Sequence, residues 1–185
     1  MKKLQKSIPI ICIALLIEAL SARAAELVPY ELQAKIILKT LGYERSLAKG
    51  SGSLIIGVIC DQDLKTANPG GDQIFEALKA LDAFKVQNRP ISVVKLTLRS
   101  LKVVDVLYLP SGLDKDLTRI IRHARDKGIL TVTGESSYLE MGVTLGIFPK
   151  GEGRKGSMIV INLPAAEAED TDFESRFLRV ATVLE

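Results

Sequence analysis

Residues 106–133 read VLYLPSGLDKDLTRIIRHARDKGILTVT, and this stretch contains the pattern that decides the fold. The short apolar run 106–109 predicts a buried strand. The sequence SGLD that starts at Ser111 has the form of a capping box, which predicts a helix beginning there. That helix ends at Gly128, and residues 129–133 predict a second strand directly after it. A strand, a helix and a strand in this order indicate a right-handed parallel crossover.

The preceding residues repeat this alternation of helix and strand. Residues 30–41 carry apolar side chains at helical spacing and stop before Gly42, which suits a left-handed helix end. Residues 54–60 form an apolar, β-branched run that is typical of a strand buried on both faces. An amphipathic helix follows, with its apolar stripe between 74 and 81, and residues 91–98 predict a strand nearer a sheet edge.

The carboxyl-terminal part changes pattern. Apolar runs at 143–148 and 158–163 flank a short turn rich in glycine and lysine, which predicts an antiparallel hairpin. Thr171 then begins a capping sequence that predicts a final helix. The whole pattern predicts an α/β fold, a three-layer α/β/α Rossmann-like sandwich with a mainly parallel sheet and a C-terminal antiparallel hairpin. We expect one domain over residues 25–185.

The first 24 residues have the features of a cleaved export signal. Three lysines precede the apolar run 8–17, and Ala22-Arg23-Ala24 supplies small residues at the two positions that a signal peptidase reads. We therefore expect a periplasmic protein. Residues 1–24 hold four basic and one acidic side chain, so the remaining domain has 21 of each. Because that domain is neutral, we expect no nucleic-acid binding.

Loops that follow the predicted strands hold the candidate ligand-binding residues. In an open parallel sheet, ligands lie outside the carboxyl ends of the strands, where loops meet helix starts. Backbone amides at a helix start favour an anion, so a carboxylate or an amino acid is the ligand expected there. Helix capping by Ser111 and a simple turn at Gly134 are the alternative explanations. The candidates are Asp61, Ser111, Gly112, Gly134 and Glu135.

The sequence holds no set of residues that indicates catalysis, a cofactor or a metal site. Its one histidine, His123, lies about 18 Å along the predicted helix from Ser111, which is too far for a catalytic pair. Cys60, the one cysteine left after cleavage, has no partner for an internal disulfide and sits in an apolar strand. Asp61 and Asp63 are a pair that any exposed loop can contain. We therefore expect a protein that is not an enzyme.

The stretch ILTVTGESSYLEMGVTLGIF at 129–148, continued by INLPAA at 161–166 and by the predicted last helix, resembles the YfiR-like family of small periplasmic regulators. The opening helix, the strand at 54–60 and the VLYL sequence before a serine agree in order. The likeness therefore covers nearly the whole mature chain. The chain departs from the family pattern at residues 41–44 and 141–143, and it lacks the cysteine pairs of some members.

The resemblance implies a function that the residues alone do not indicate. In this family, exported proteins bind the periplasmic sensing domain of an inner-membrane diguanylate cyclase and hold it inactive. Release of the cyclase raises cyclic di-GMP in the cell and favours biofilm. The resemblance carries over no catalytic residue and no cofactor, and it allows a homodimer. Because the cysteine pairs are absent, we do not expect control by a disulfide.

A regulator of this kind needs exposed apolar side chains that anchor its partner. The expected contact surface is the hairpin with the loops after the third and fourth predicted strands, and its expected anchors are Tyr138, Leu139 and Met141. Packing of these three side chains in the core is the equal alternative. The alternative function is a periplasmic small-ligand binding protein, with the ligand in the crevice beside Ser111 and Gly134.

Overall fold

The computed structural model describes residues 28–60, 69–99, 101–150 and 156–185. The predicted export signal at 1–24 lies outside the described residues. The helices are α1 (Tyr30–Leu41), α2 (Pro69–Lys79), α3 (Leu117–Lys127), α4 (Ser136–Glu140), α5 (Leu163–Ala168) and α6 (Ser175–Leu178), with a 3-10 turn at Ser46–Lys49. The strands are β1 (Leu54–Ile59), β2 (Lys85–Val86), β3 (Arg89–Leu96), β4 (Val106–Leu109), β5 (Leu130–Thr133), β6 (Leu145–Pro149), β7 (Ser157–Asn162) and β8 (Thr182–Leu184). No helix in these ranges is long and apolar enough to cross a membrane.

Within the described residues, eight strands form one sheet in the order β2-β3-β1-β4-β5-β6-β7-β8. The strands β3, β1, β4, β5 and β6 run parallel, whereas β6 and β7 form an antiparallel hairpin. Counted along the chain, the five parallel strands have the order 2-1-3-4-5. The connections that follow β1 and β4 therefore lead to opposite sides of the sheet. The predicted mainly parallel sheet with a C-terminal hairpin is confirmed.

Helices cover both faces of this sheet, as the three-layer prediction requires. One face packs against α1, α2, α5 and α6, in a cluster that includes Val58 and Val132 from the strands. The other face packs against α3, whose Ile120 and Ala124 join Leu107 of β4. All residues of β4 and β5 are buried because helices cover both of their faces. The Rossmann-like sandwich is therefore confirmed.

Helix α3 begins later than its capping sequence predicts. Its first helical residue is Leu117, and residues 111–116 form turns before it. The Leu113 N–H donates a hydrogen bond of 2.6 Å to the buried Tyr138 hydroxyl. The prediction that Ser111 opens the helix is wrong, because the chain is first held by this hydrogen bond to a tyrosine of α4.

The two glycines at helix ends differ in conformation. Gly128 ends α3 with a φ of 60°, in the left-handed region that glycine adopts without strain. Gly42 follows α1 with a φ of −63°, so the predicted left-handed end is wrong there. The next amides, of Tyr43 and Glu44, continue the turn by donating to Thr40 and Leu41.

The predicted helix after Thr171 is wrong over most of its length. Only α6 is helical, and its Phe177 stacks on Tyr43 with ring centres 4.9 Å apart. The chain then forms β8, which pairs in parallel with β7. Without β8, β7 would present unpaired backbone groups at the sheet edge, and the β-branched Thr182 and Val183 suit a strand. The short elements β2, α4 and α5 were not predicted from the sequence.

Candidate functional site

A pocket lies at the carboxyl ends of the parallel strands, between the loops after β4 and β5 and the start of α1. It holds about 80 Å³ of space that water can enter. The pocket is beside the point where the connections of the sheet diverge, which is where open α/β sheets bind ligands. The polar groups of its lining come from Tyr30, Gln33, Tyr108, Ser111, Gly134 and Glu135.

The structure brings together three of the five residues predicted to bind a ligand. Ser111, Gly134 and Glu135 all line the pocket, although they come from two separate loops. Gly112 follows Ser111 in the chain but is not part of the described lining. Asp61 lies outside the described residues. Ligand binding by these residues stays a prediction.

One backbone amide at this edge is already hydrogen-bonded, since the Glu135 N–H donates to the Thr133 hydroxyl at 3.0 Å. Helix α3 begins at Leu117, and no residue of its first turn is part of the described lining. The anion site expected where Ser111 opens a helix is therefore not formed by α3.

Two buried polar side chains form the floor of the pocket. The Tyr108 hydroxyl donates to Gln33 Oε1 at 2.9 Å, and Gln33 Nε2 donates to the Ile147 carbonyl at 3.2 Å. Burial raises the pKa of Tyr108 well above its usual value, so the hydroxyl stays protonated. A side chain at Gly134 would bring a Cβ atom within 2.5 Å of Gln33 Nε2. A residue larger than glycine would therefore displace the Gln33 amide.

Sequence reasoning missed Gln33 and Tyr108 as pocket residues. The available signal was a polar residue on the apolar face of α1: Gln33 is only 4% exposed and lies among the buried residues of that helix. A buried side-chain amide needs hydrogen-bond partners, so a glutamine on the buried face of a helix indicates that another polar group lies next to it. The partner itself, Tyr108, is 75 residues away in the chain.

The described lining can hold a ligand by hydrogen bonds and charge, and it contains no pair of nucleophile and base. Its one charged residue is Glu135, whose carboxylate accepts a 3.3 Å hydrogen bond from Ser137. The lining includes the hydroxyl of Ser111 but not His123, which lies on α3. Burial raises the pKa of the half-buried Cys60 thiol to about 11, so the thiol is protonated at neutral pH.

The predicted partner-binding anchors do not share one environment. Tyr138 is 1% exposed and Leu139 is 4% exposed, so the expectation that they are surface anchors is wrong. The Tyr138 side chain packs beside α3, and its hydroxyl accepts a hydrogen bond from the Leu113 N–H. Leu139 packs with two residues of the hairpin. Met141 is 46% exposed, as predicted. Core packing therefore explains the first two residues, since α4 turns them inward.

A buried carboxylate outside the pocket connects three parts of the fold. Glu169, at the end of α5, is fully buried and accepts hydrogen bonds from the Thr131 N–H, the Thr131 hydroxyl and the Thr144 hydroxyl at 2.6 to 2.9 Å. Burial raises the pKa of the Glu169 carboxyl to about 7, although these hydrogen bonds act in the opposite direction. No sequence motif marks this residue, because its partners lie 25 and 38 positions away.

The sequence matches the model of the YfiR/HmsC-like family over residues 30–182. No curated protein matches it. Among solved structures, a conserved domain protein from Vibrio cholerae O1 biovar El Tor is similar to this chain, with a TM-score of 0.59, 21% identity, and coverage of 85% of this chain and 60% of that one.

Two further solved structures are similar to the fold. One is a substrate-binding protein with adhesive properties from Clostridium difficile, in a ligand-free, open form, with a TM-score of 0.54, 15% identity, and coverage of 76% of this chain and 57% of that one. The other is an ABC domain from Streptococcus pneumoniae in complex with L-Trp, with a TM-score of 0.53, 10% identity, and coverage of 84% and 60%. This chain thus spans about 60% of the length of these proteins. At such identities the likeness shows the fold alone.

Proposed function

The chain belongs to the YfiR/HmsC-like family, and from this premise we propose that it is a periplasmic regulator. In this proposal it binds the periplasmic sensing domain of an inner-membrane diguanylate cyclase, holds the cyclase inactive and performs no catalysis itself. The observation that carries the proposal is the family match, which runs from the first residue of α1 into β8.

An exposed apolar part of the hairpin supports a role in binding another protein. Met158 of β7 lies opposite Phe148 of β6, and Val160 follows two positions later, so all three share one face of the sheet. Phe148 and Val160 are buried in a small cluster with Leu139, whereas Met158 is 36% exposed at its border. Met141 directly follows α4, which carries Leu139. We define the hairpin face as Met141 and Met158 with this cluster.

The sensing domain of the cyclase is the occupant that we propose for the hairpin face. Methionine side chains suit such a surface because they are flexible and polarisable. A few apolar side chains usually carry most of the binding free energy of an interface. Met141 and Met158 are therefore the expected anchors, and they replace Tyr138 and Leu139 in that role.

The regulatory role is tested by measuring cyclic di-GMP in cells that lack this protein. We expect the level to rise on deletion and to fall back when the full chain is restored. A chain without residues 1–24 should not restore it, because the proposed action requires export. An unchanged level in the deletion strain under biofilm-forming conditions contradicts the proposal.

The physical contact is tested with the purified chain and detergent-solubilised membranes from the same cells. We expect to recover a membrane protein that carries a periplasmic domain and a cytoplasmic nucleotide-cyclase domain. Met158→Asp should weaken its binding by about thirtyfold, the effect of losing a hot-spot side chain worth about 2 kcal/mol. Val103→Asp is the matched control, because Val103 is 64% exposed and lies outside the hairpin face. Equal weakening by both variants contradicts the assignment of the surface.

A further inference from the structure

We propose that the pocket at the carboxyl ends of β4 and β5 binds a small organic amine in its protonated form, with the Glu135 carboxylate as the counter-ion. The inference goes beyond the regulatory role and does not depend on it. The free volume of the pocket, about 80 Å³, has room for roughly five to eight water-sized groups, at ~10–15 Å³ each. The ligand is therefore an amine of similar size, with about five to eight non-hydrogen atoms at most.

The sign of the charge in the pocket favours a cation. Glu135 is the one charged residue of the described lining and is only half-exposed. None of the ion pairs between described residues includes it, so its charge is not neutralised by those side chains. Charges attract more strongly where part of the surrounding water has been replaced by protein. An ammonium group entering the pocket would supply the missing positive partner.

The hydrogen-bonding groups disfavour the carboxylate ligand that the sequence predicts. An anion would need free donors, but the Glu135 amide already donates to the Thr133 hydroxyl, and the Tyr108 hydroxyl already donates to Gln33. A carboxylate would also lie close to the like charge of Glu135, which is unfavourable. An amino acid brings the same carboxylate with its amine. An amine without a carboxylate satisfies the pocket better than either of the ligands expected from the sequence.

The remaining walls suit the carbon part of such a ligand. Tyr30 and Tyr108 bring aromatic rings to the lining, and aromatic rings attract ammonium groups. Val28 and Ile147 supply apolar wall, and each is less than a tenth exposed. A carboxylate, aromatic rings and aliphatic side chains around one small space are the features that recognise an alkylammonium ion.

The test uses ethanolamine, with ethylene glycol as its uncharged counterpart and acetate as the anion, at constant ionic strength. Binding is followed by NMR through the backbone amide of Gly134 and the side-chain amide of Gln33, which both lie at the pocket. We expect saturable shifts with ethanolamine and none with ethylene glycol or acetate at the same concentrations. Because a ligand this small binds weakly, the dissociation constant should lie in the range of about 1 mM.

Glu135→Gln tests the counter-ion, because it keeps the size of the side chain and removes its charge. We expect at least a tenfold loss of ethanolamine affinity, the effect of about 1.4 kcal/mol for one charge-assisted contact. Glu140→Gln is the matched control, since Glu140 is exposed and lies outside the pocket lining. Saturable acetate binding, equal ethanolamine affinity in both variants, or no saturation with ethanolamine in the unaltered chain each overturns the proposal.

Discussion

Replacing Glu169 with glutamine should remove a pH dependence of stability from this fold. The carboxyl group has a pKa of about 7 in the folded chain, because burial disfavours its charge, and an ordinary pKa of 4.5 when unfolded. Between pH 4.5 and pH 7 the folded state thus keeps a proton that the unfolded state has lost. Raising the pH through this window therefore favours unfolding.

The size of the effect follows from the two pKa values. Each pH unit in that window lowers the free energy of unfolding by about 1.36 kcal/mol, so the whole window is worth about 3 kcal/mol. The contribution of Glu169 is fully present below pH 4.5 and is lost as the pH rises through 7. Glutamine does not titrate, so the free energy of unfolding of Glu169→Gln should lack this loss.

The assay is urea unfolding followed by far-UV circular dichroism, since the chain contains no tryptophan. The difference in unfolding free energy between the unaltered chain and Glu169→Gln should change by about 3 kcal/mol from pH 4.5 to 7. At an m-value of about 2 kcal/mol/M, this is a relative shift of about 1.5 M in the urea midpoint. Glu167→Gln, an exposed carboxylate at the end of the same helix, should show no such change. A difference that is constant with pH, or that favours the unaltered chain as the pH rises, would refute the reasoning.

Two further substitutions test single contacts, one beside α3 and one at the pocket. Tyr138→Phe leaves the Leu113 N–H without its acceptor and should lower the free energy of unfolding by about 1–3 kcal/mol in urea titrations; no measurable change would mean that this hydrogen bond is replaced by water. Gly134→Ala should cost about 1–2 kcal/mol, because the added Cβ displaces the Gln33 amide from the Ile147 carbonyl. It should also weaken ethanolamine binding, and NMR of the Gln33 side-chain amide should report its displacement.

The parallel part of the fold could be predicted because its signals are local. Continuous apolar runs such as 54–59 and 106–109 indicate strands covered on both faces, and they became β1 and β4. Glycine at 128 ends α3 in the left-handed conformation that few other residues adopt. Each of these features depends on residues that are neighbours in sequence.

The final segment could not be predicted, because its conformation depends on distant residues. Its apolar spacing fits a helix, but Phe177 packs on Tyr43, and residues 182–184 pair with β7. The hydrogen bonds that residues 182–184 form with the edge strand β7 favour a strand over a helix there. In the same way, Tyr138 determines where α3 begins by accepting the Leu113 amide.

The candidate site was likewise predictable only in part. The loop positions of Ser111, Gly134 and Glu135 followed from the rule that ligands bind at the carboxyl ends of parallel strands. The floor formed by Gln33 and Tyr108 did not, since their hydrogen bond joins residues 75 positions apart. The Glu135 amide, which was expected to help hold an anion, donates instead to the Thr133 hydroxyl.

The sequence by itself determined the succession of the buried strands along the chain, the fold class and the edge of the sheet where a ligand can bind. These depend on the periodicity of apolar residues and on local turn chemistry, which the chain carries in short stretches. Only the tertiary structure decided the charge of the pocket, the burial of Leu139 and the shifted pKa of Glu169. Those properties arise from desolvation and from hydrogen bonds between distant residues, which exist only after the sheet has assembled.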